Sequence, residues 1–201
     1  AMSANHAAFN LIFRFVENYV SPIAGRISSQ RHVMAIRDGF ISAMPFMIVG
    51  SFLLVFAYPP FSPDTTWGFA RAWLDMAKQF EGQILTPFDM TMGIMSIYIC
   101  AAIAYNLGKH YVKSHQLDPF MCAMLSLMAF LLVAAPKTKG TLPVDSLGGT
   151  GIFTAILVAI YCVEMMRFLK AHNIGIRLPD QVPPMIKNSF DLLIPVLVVV
   201  L

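Results

Sequence analysis

Glu164 is the residue whose setting most invites chemistry. It is the only charged side chain between Gly149 and Met166 in an otherwise apolar stretch. A carboxylate in apolar surroundings is costly, and where one persists it commonly binds a ligand, moves a proton or pairs with a cation. Arg167 follows three residues later, so an i, i+3 ion pair explains Glu164 without any ligand. Both readings stand at this point. Tyr98, Tyr105, Asn106 and Tyr161 also lie in apolar stretches. Their hydroxyl and amide groups bond sugar hydroxyls well, and equally well tie helices together. Tyr105, Asn106 and Glu164 are the candidate substrate-binding residues.

Other chemistries lack parts. Cys100, Cys122 and Cys162 form no CxxC pair, so neither a zinc site nor a disulfide framework is expected, and each reads as a buried free thiol. Met90, Met92 and Met95 suit helix contacts better than a metal path. Met92 and Met95 do share a face, but no histidine or cysteine of that stretch reinforces it. There is no Walker A loop, no GxGxxG and no HExxH, so ATP-driven pumping and hydrolysis lack their signatures. No catalytic residue, metal site or cofactor is expected. The formal net charge is only +3, with basic residues scattered singly, which does not fit nucleic-acid binding.

The elements that would hold these residues are membrane spans. Of the 201 residues, 57% are hydrophobic and 12% charged, far from the roughly 25% charged residues of a soluble domain. Gly39 to Tyr58 contains no charge or histidine, and at about 1.5 Å per residue it matches a hydrocarbon core about 30 Å thick. Similar runs cover Met90–Leu107 (extendable back to Ile84), Pro119–Ala135 and Gly149–Met166; a fifth opens at Phe190 and is still apolar at Leu201. The expected fold class is therefore an all-α integral membrane protein with about five transmembrane helices plus amphipathic interfacial helices. A fifth span stopping in mid-membrane predicts that the chain is part of a longer protein. No cleavable signal peptide is expected, because no small-residue cleavage site follows the first apolar run.

With a cytoplasmic N-terminus and one crossing per run, ten lysines and arginines fall on the cytoplasmic side and four (Arg71, Lys78, Lys137 and Lys139) on the other. The basic excess predicts that orientation. Phe9, Ile12, Phe13, Val16 and Val20 share a helical face, suiting a surface helix. The chain thus divides into a cytoplasmic amphipathic segment, 1–38, and a transmembrane domain, 39–201. A second amphipathic helix is expected after Thr66, with Phe69, Trp73, Ala77 and Phe80 on one side and an Arg71–Asp75 pair on the other. Gly148, Gly149 and Gly151, with Ala101, Ala102 and Ala104, predict close helix contacts and a scaffold or dimer surface more than a pore.

One connector is more specific. Leu178-Pro-Asp-Gln-Val-Pro-Pro-Met-Ile-Lys-Asn-Ser-Phe-Asp-Leu-Leu-Ile-Pro195 resembles the proline-rich connector of the phosphoenolpyruvate-dependent phosphotransferase permeases, in the lactose/cellobiose/N,N'-diacetylchitobiose group of enzyme IIC proteins. His32-Val-Met-Ala-Ile-Arg-Asp-Gly-Phe-Ile-Ser-Ala-Met-Pro45 and Thr91-Met-Gly-Ile-Met-Ser96 agree with that group, and Leu147-Gly-Gly-Thr-Gly-Ile-Phe153 agrees more weakly. The resemblance implies a multi-pass permease of the bacterial cytoplasmic (inner) membrane, about twice this length. It would translocate a β-disaccharide such as cellobiose, chitobiose or lactose, coupled to phosphorylation by a separate, phosphorylated IIB protein or domain. This chain would match the first five spans, a dimerising scaffold. The sugar-site histidine and glutamate of the family lie in the later spans, and no histidine here falls within a span. The intact complex would be a protein-N-phosphohistidine–sugar phosphotransferase, while this chain holds no self-contained catalytic site. The implied partners are the sugar, IIB, the lipid bilayer and a second copy of the chain. The alternatives are an ion-coupled secondary transporter, which would want charges near the bilayer midplane, and a non-transporting membrane scaffold.

Overall fold

Small residues face inward and large apolar ones outward along the longest helix, the reverse of a soluble protein. In a computed structural model that describes residues 21–135, 143–175 and 182–201, α1 spans Ser21–Ser28 and α2 spans Arg31–Ala57. The buried positions of α2 are Ala35, Gly39, Ala43, Gly50 and Ala57, while Ile41, Ile48, Phe52 and Val55 are exposed. Such a surface needs an apolar medium or partner to cover it. Pro45 lies inside α2, where its ring removes one backbone donor without ending the helix.

The remaining helices are α3 (Gly68–Asp89), α4 (Met95–His115), α5 (Pro119–Ala134), α6 (Ile152–Ala171), α7 (Pro184–Asp191) and α8 (Leu193–Val200), with 3-10 turns at Val144–Ser146 and Gly149–Gly151. No strand occurs among the described residues, so the all-helical expectation holds. Two stretches, Arg31–Ala57 and Gly149–Ala171, are long and apolar enough to cross a membrane; Pro119–Ala134 and Ser189–Val200 are shorter apolar helices. The amphipathic stretch Phe9–Val20, with Lys137, Lys139 and Arg177, lies outside the described residues. α2 runs unbroken across the expected boundary at residue 38.

The central helix is α4, packed against α2, α5 and α6, while α3 packs on α2. Its buried positions, Ser96, Ile99, Cys100, Ile103, Ala104, Leu107, Gly108 and Tyr111, recur every three or four residues, as a helix contacted on several sides requires. Two glycines permit the closest approaches. A Cβ at Gly39 would lie 2.9 Å from the Ile103 backbone nitrogen, and one at Gly108 would lie 3.0 Å from Pro119 Cα. All three cysteines are free and buried. The expected close contacts at Gly148 and Gly151 form around Ser96. Its hydroxyl donates to the Gly148 carbonyl, and its backbone N–H donates to the Leu147 carbonyl at 3.0 Å. This satisfies a fully buried polar side chain.

Element boundaries depart from the apolar runs where backbone chemistry intervenes. The run from Met90 is not helical from its start: a turn separates Asp89 from Met95. Thr91 Oγ1 donates to the Pro87 carbonyl at 2.8 Å, and the Gly93 N–H reaches back to Phe88 at 3.2 Å, which closes α3. The fifth run also breaks, at Leu192, because Pro195 supplies no N–H for the Asp191 carbonyl and crowds it. α5 is capped by Asp118, whose carboxylate accepts from Phe120 N at 2.8 Å and Met121 N at 3.3 Å, with proline at the first turn. Gln116 (φ 53°) and Asn173 (φ 54°) take left-handed conformations just after α4 and α6, where helices commonly end.

α3 does form after Thr66, and the apolar side read from the sequence is only partly turned inward, with Ala77 buried and Trp73 half-buried. Ala70 and Ala77 are buried, whereas Phe69 and Phe80 are exposed, and Arg71 and Asp75 are not among the ion pairs of the described residues. Interhelical bonds decide this rotation. The Trp73 indole donates to the Phe56 carbonyl at 3.2 Å, and the Tyr58 hydroxyl donates to Glu81 Oε1 at 3.1 Å.

A candidate functional site where three helix ends meet

The start of α2 and the final turns of α4 and α6 converge on Glu164. Glu164 lies within α6, seven residues before its end at Ala171, where the helix's own N–H groups are already bonded, so its carboxylate takes donors from outside its own backbone. It has three. With the proton of His32 on Nε2, that ring donates to Glu164 Oε1 at 2.9 Å. The Tyr111 hydroxyl donates to the same oxygen at 2.5 Å. Arg167 Nε lies 2.6 Å from Oε2, close enough for an ion pair although its N–H is not aligned for a directed hydrogen bond. The Glu164 side chain is 24% exposed.

Tyr111 is the hinge of the arrangement. Its side chain is buried, and its ring meets His115 edge-on at 5.6 Å. The guanidinium carbons of Arg31 and Arg167 each lie 5.3 Å from its centroid, within cation–π range. One ring therefore gathers two cations and passes its hydroxyl to the carboxylate. A short way along α6, Lys170 Nζ bonds Asp191 Oδ2 at 2.6 Å and ties α6 to the end of α7.

The sequence-derived candidates do not converge. The Glu164–Arg167 pair forms, but neither Tyr105 nor Asn106 is among the described hydrogen-bond or ion-pair partners of Glu164. Asn106 Nδ2 donates to the Ala102 carbonyl of its own helix at 2.9 Å. Tyr105 is 40% exposed with Lys109 Nζ over its ring at 4.6 Å. Tyr98 donates to the Met90 carbonyl at 2.8 Å and stacks on Phe46 at 4.4 Å, and Tyr161 is exposed. His32 and Tyr111 carried no sequence signal of their role, since they lie 132 and 53 positions from Glu164. No group of three or more metal-binding side chains occurs among the described residues.

Residues 37–201 match the protein family described as "Phosphotransferase system, EIIC". This chain belongs to that family. Among curated EIIC relatives, it is 37% identical over 206 residues to the PTS system cellobiose-specific EIIC component of Geobacillus stearothermophilus, covering 93% of this chain and 43% of that protein. It is 34% identical to the lichenan permease IIC component of Bacillus subtilis (strain 168), covering 92% of this chain and 42% of the relative. The crystal structure of the transporter ChbC, the IIC component from the N,N'-diacetylchitobiose-specific phosphotransferase system, superimposes with a TM-score of 0.76 at 36% identity, over 93% of this chain and 44% of that one. The chain thus spans less than half the length of these EIIC relatives. The EIIC family is membrane-embedded, which accounts for the outward-facing apolar residues of α2.

Proposed function

We propose that this chain is the N-terminal, membrane-embedded half of a phosphotransferase-system permease that carries a β-disaccharide of the cellobiose, chitobiose or lactose type. The observation that carries the reading is the likeness to ChbC over 93% of the chain. In this reading α2, α4, α5 and α6 cross the bilayer and α8 begins a fifth crossing. Residues 39–201 form the transmembrane domain, and residues 1–38 lead into it from the cytoplasm. The basic excess supports a cytoplasmic N-terminus, which puts the Glu164 cluster at the cytoplasmic surface. Phosphorylation of the sugar falls to a IIB partner; a lactose-specific relative from Streptococcus mutans is described as an EIICB component, which fits a IIB unit acting beside the permease.

Within that frame this half is the scaffold and the homodimerising part. Its buried face is small and tightly packed, and its polar groups are engaged with one another. Glu164 then orders three helix ends, while Tyr105, with its exposed ring, is the better placed of the three candidates to meet a sugar.

Two forms test the proposal in proteoliposomes: this chain alone, and this chain joined to the remaining length of a relative such as the cellobiose-specific component. The expected result is dimerisation of both forms, with cellobiose binding and phosphoenolpyruvate-driven uptake confined to the longer one in the presence of phosphorylated IIB. Uptake by the longer form driven by an ion gradient and indifferent to phosphoenolpyruvate would overturn it. Sugar binding by the short form would move the binding site into this half and send attention back to Tyr105 and Asn106.

A further inference from the structure

An open depression of about 500 Å³ lies beside the Glu164 cluster, lined by Ser29, Gln30, Arg31, His32, Tyr111 and Arg167. None of the six is a carboxylate, and two are guanidiniums. Glu164 sits behind this wall with both oxygens occupied, so it offsets one positive charge and leaves Arg31 in excess. The backbone adds to that excess. Gln30 makes no side-chain cap at the start of α2, and the first N–H bonded within the helix is that of Met34 to the Gln30 carbonyl. Donors of the first turn are thus available on the same side as Arg31.

We propose that this depression binds the phosphate group of an anionic amphiphile, with Arg31 as the principal contact and Arg167, held by Glu164 and Tyr111, as the second. Two guanidiniums beside one aromatic ring, one of them charge-paired with Glu164, present a net-cationic surface suited to a tetrahedral oxyanion. The shared chemistry is a phosphate oxyanion. A phospholipid headgroup and free phosphate both offer it, and the membrane-embedded EIIC family to which the chain belongs favours the lipid. The inference does not depend on which sugar the permease carries.

The test compares the full chain with Arg31→Gln and with Arg37→Gln. Arg37 is a control cation on the same helix, paired with its neighbour Asp38 at 2.9 Å and outside the depression. Native mass spectrometry reads retention of phosphatidylglycerol against phosphatidylcholine, and competition by inorganic phosphate is measured against chloride at equal ionic strength. The expected result is selective retention of phosphatidylglycerol that falls about fivefold in Arg31→Gln, the scale of one arginine near a charged headgroup, and is unchanged in Arg37→Gln. Arg31-dependent binding of inorganic phosphate without lipid preference would keep the oxyanion site and make the free anion its occupant. Equal losses in the two variants, or no Arg31-dependent binding of either probe, would overturn the proposal. Arg31 is exposed, and retention of the wild-type melting temperature in Arg31→Gln separates lost binding from lost folding.

Discussion

Replacing Tyr111 by phenylalanine removes one oxygen and leaves the ring against Arg31, Arg167 and His115. The lost contact is a hydrogen bond from a buried phenol to a carboxylate that is itself only 24% exposed. A hydrogen bond to a charged group contributes about 1.5–3 kcal/mol. Glu164 keeps His32 and Arg167, so its charge is not orphaned, and the lower end, about 1.5 kcal/mol, is expected. For a chain of this size that corresponds to a fall of about 3–6 °C in melting temperature. Thermal unfolding in detergent, followed by the fluorescence of Trp67 and Trp73, measures it. Tyr105→Phe is the control, because its ring is substantially exposed, and a change within about 0.5 kcal/mol is expected there. Glu164→Gln completes a double-mutant cycle. The amide oxygen still accepts from Tyr111 but without charge, so the coupling between the two positions should be about 1 kcal/mol. Equal shifts for Tyr111→Phe and Tyr105→Phe, or strict additivity with Glu164→Gln, would refute the idea that this cluster holds three helix ends together.

Other perturbations test the packing. Gly39→Ala should destabilise the protein by about 1–3 kcal/mol, because the new methyl would lie 2.9 Å from the backbone of Ile103; Gly25→Ala, with nothing within 4 Å, should be neutral or stabilising by about 0.4–1 kcal/mol, and paired melting curves compare them. Asp118→Ala should cost about 0.5–2 kcal/mol through loss of the α5 cap, with Asp118→Asn restoring most of it; a null effect of the alanine would remove the cap from the account. Cys100, Cys122 and Cys162 are fully buried, so a maleimide should label none of them in the native protein and all three after denaturation in SDS. Rapid native labelling would show that α4, α5 and α6 do not pack as described.

Much of the architecture was legible because membrane helices leave a local signal. Charge-free runs announced the apolar helices, and the run Pro119–Ala135 matches α5 (Pro119–Ala134) to within a residue. The Glu164–Arg167 pair was readable too, since three residues along one helix fix the distance. The family resemblance was carried by a connector whose prolines and Ser-Phe pair are contiguous. Where one helix ended and the next began was harder. At Met90 the apolar run continues while Pro87, Thr91 and Gly93 close the backbone into a turn, and hydropathy does not register a hydrogen bond.

What sequence alone determined, then, was helical class, span-length apolar runs, the asymmetry of basic residues and one local ion pair, all properties set within a few turns of chain. Tertiary structure decided which face of each helix turned inward, and so which polar groups met. The inward face of α2 is its small residues, chosen by the fit of Gly39 against Ile103 and not by hydrophobicity, because both faces are apolar. His32, Tyr111 and Glu164 are joined only because α4 packs simultaneously against α2 and α6. Contacts across 132 and 53 residues depend on the relative rotation and length of three helices, which no local pattern encodes.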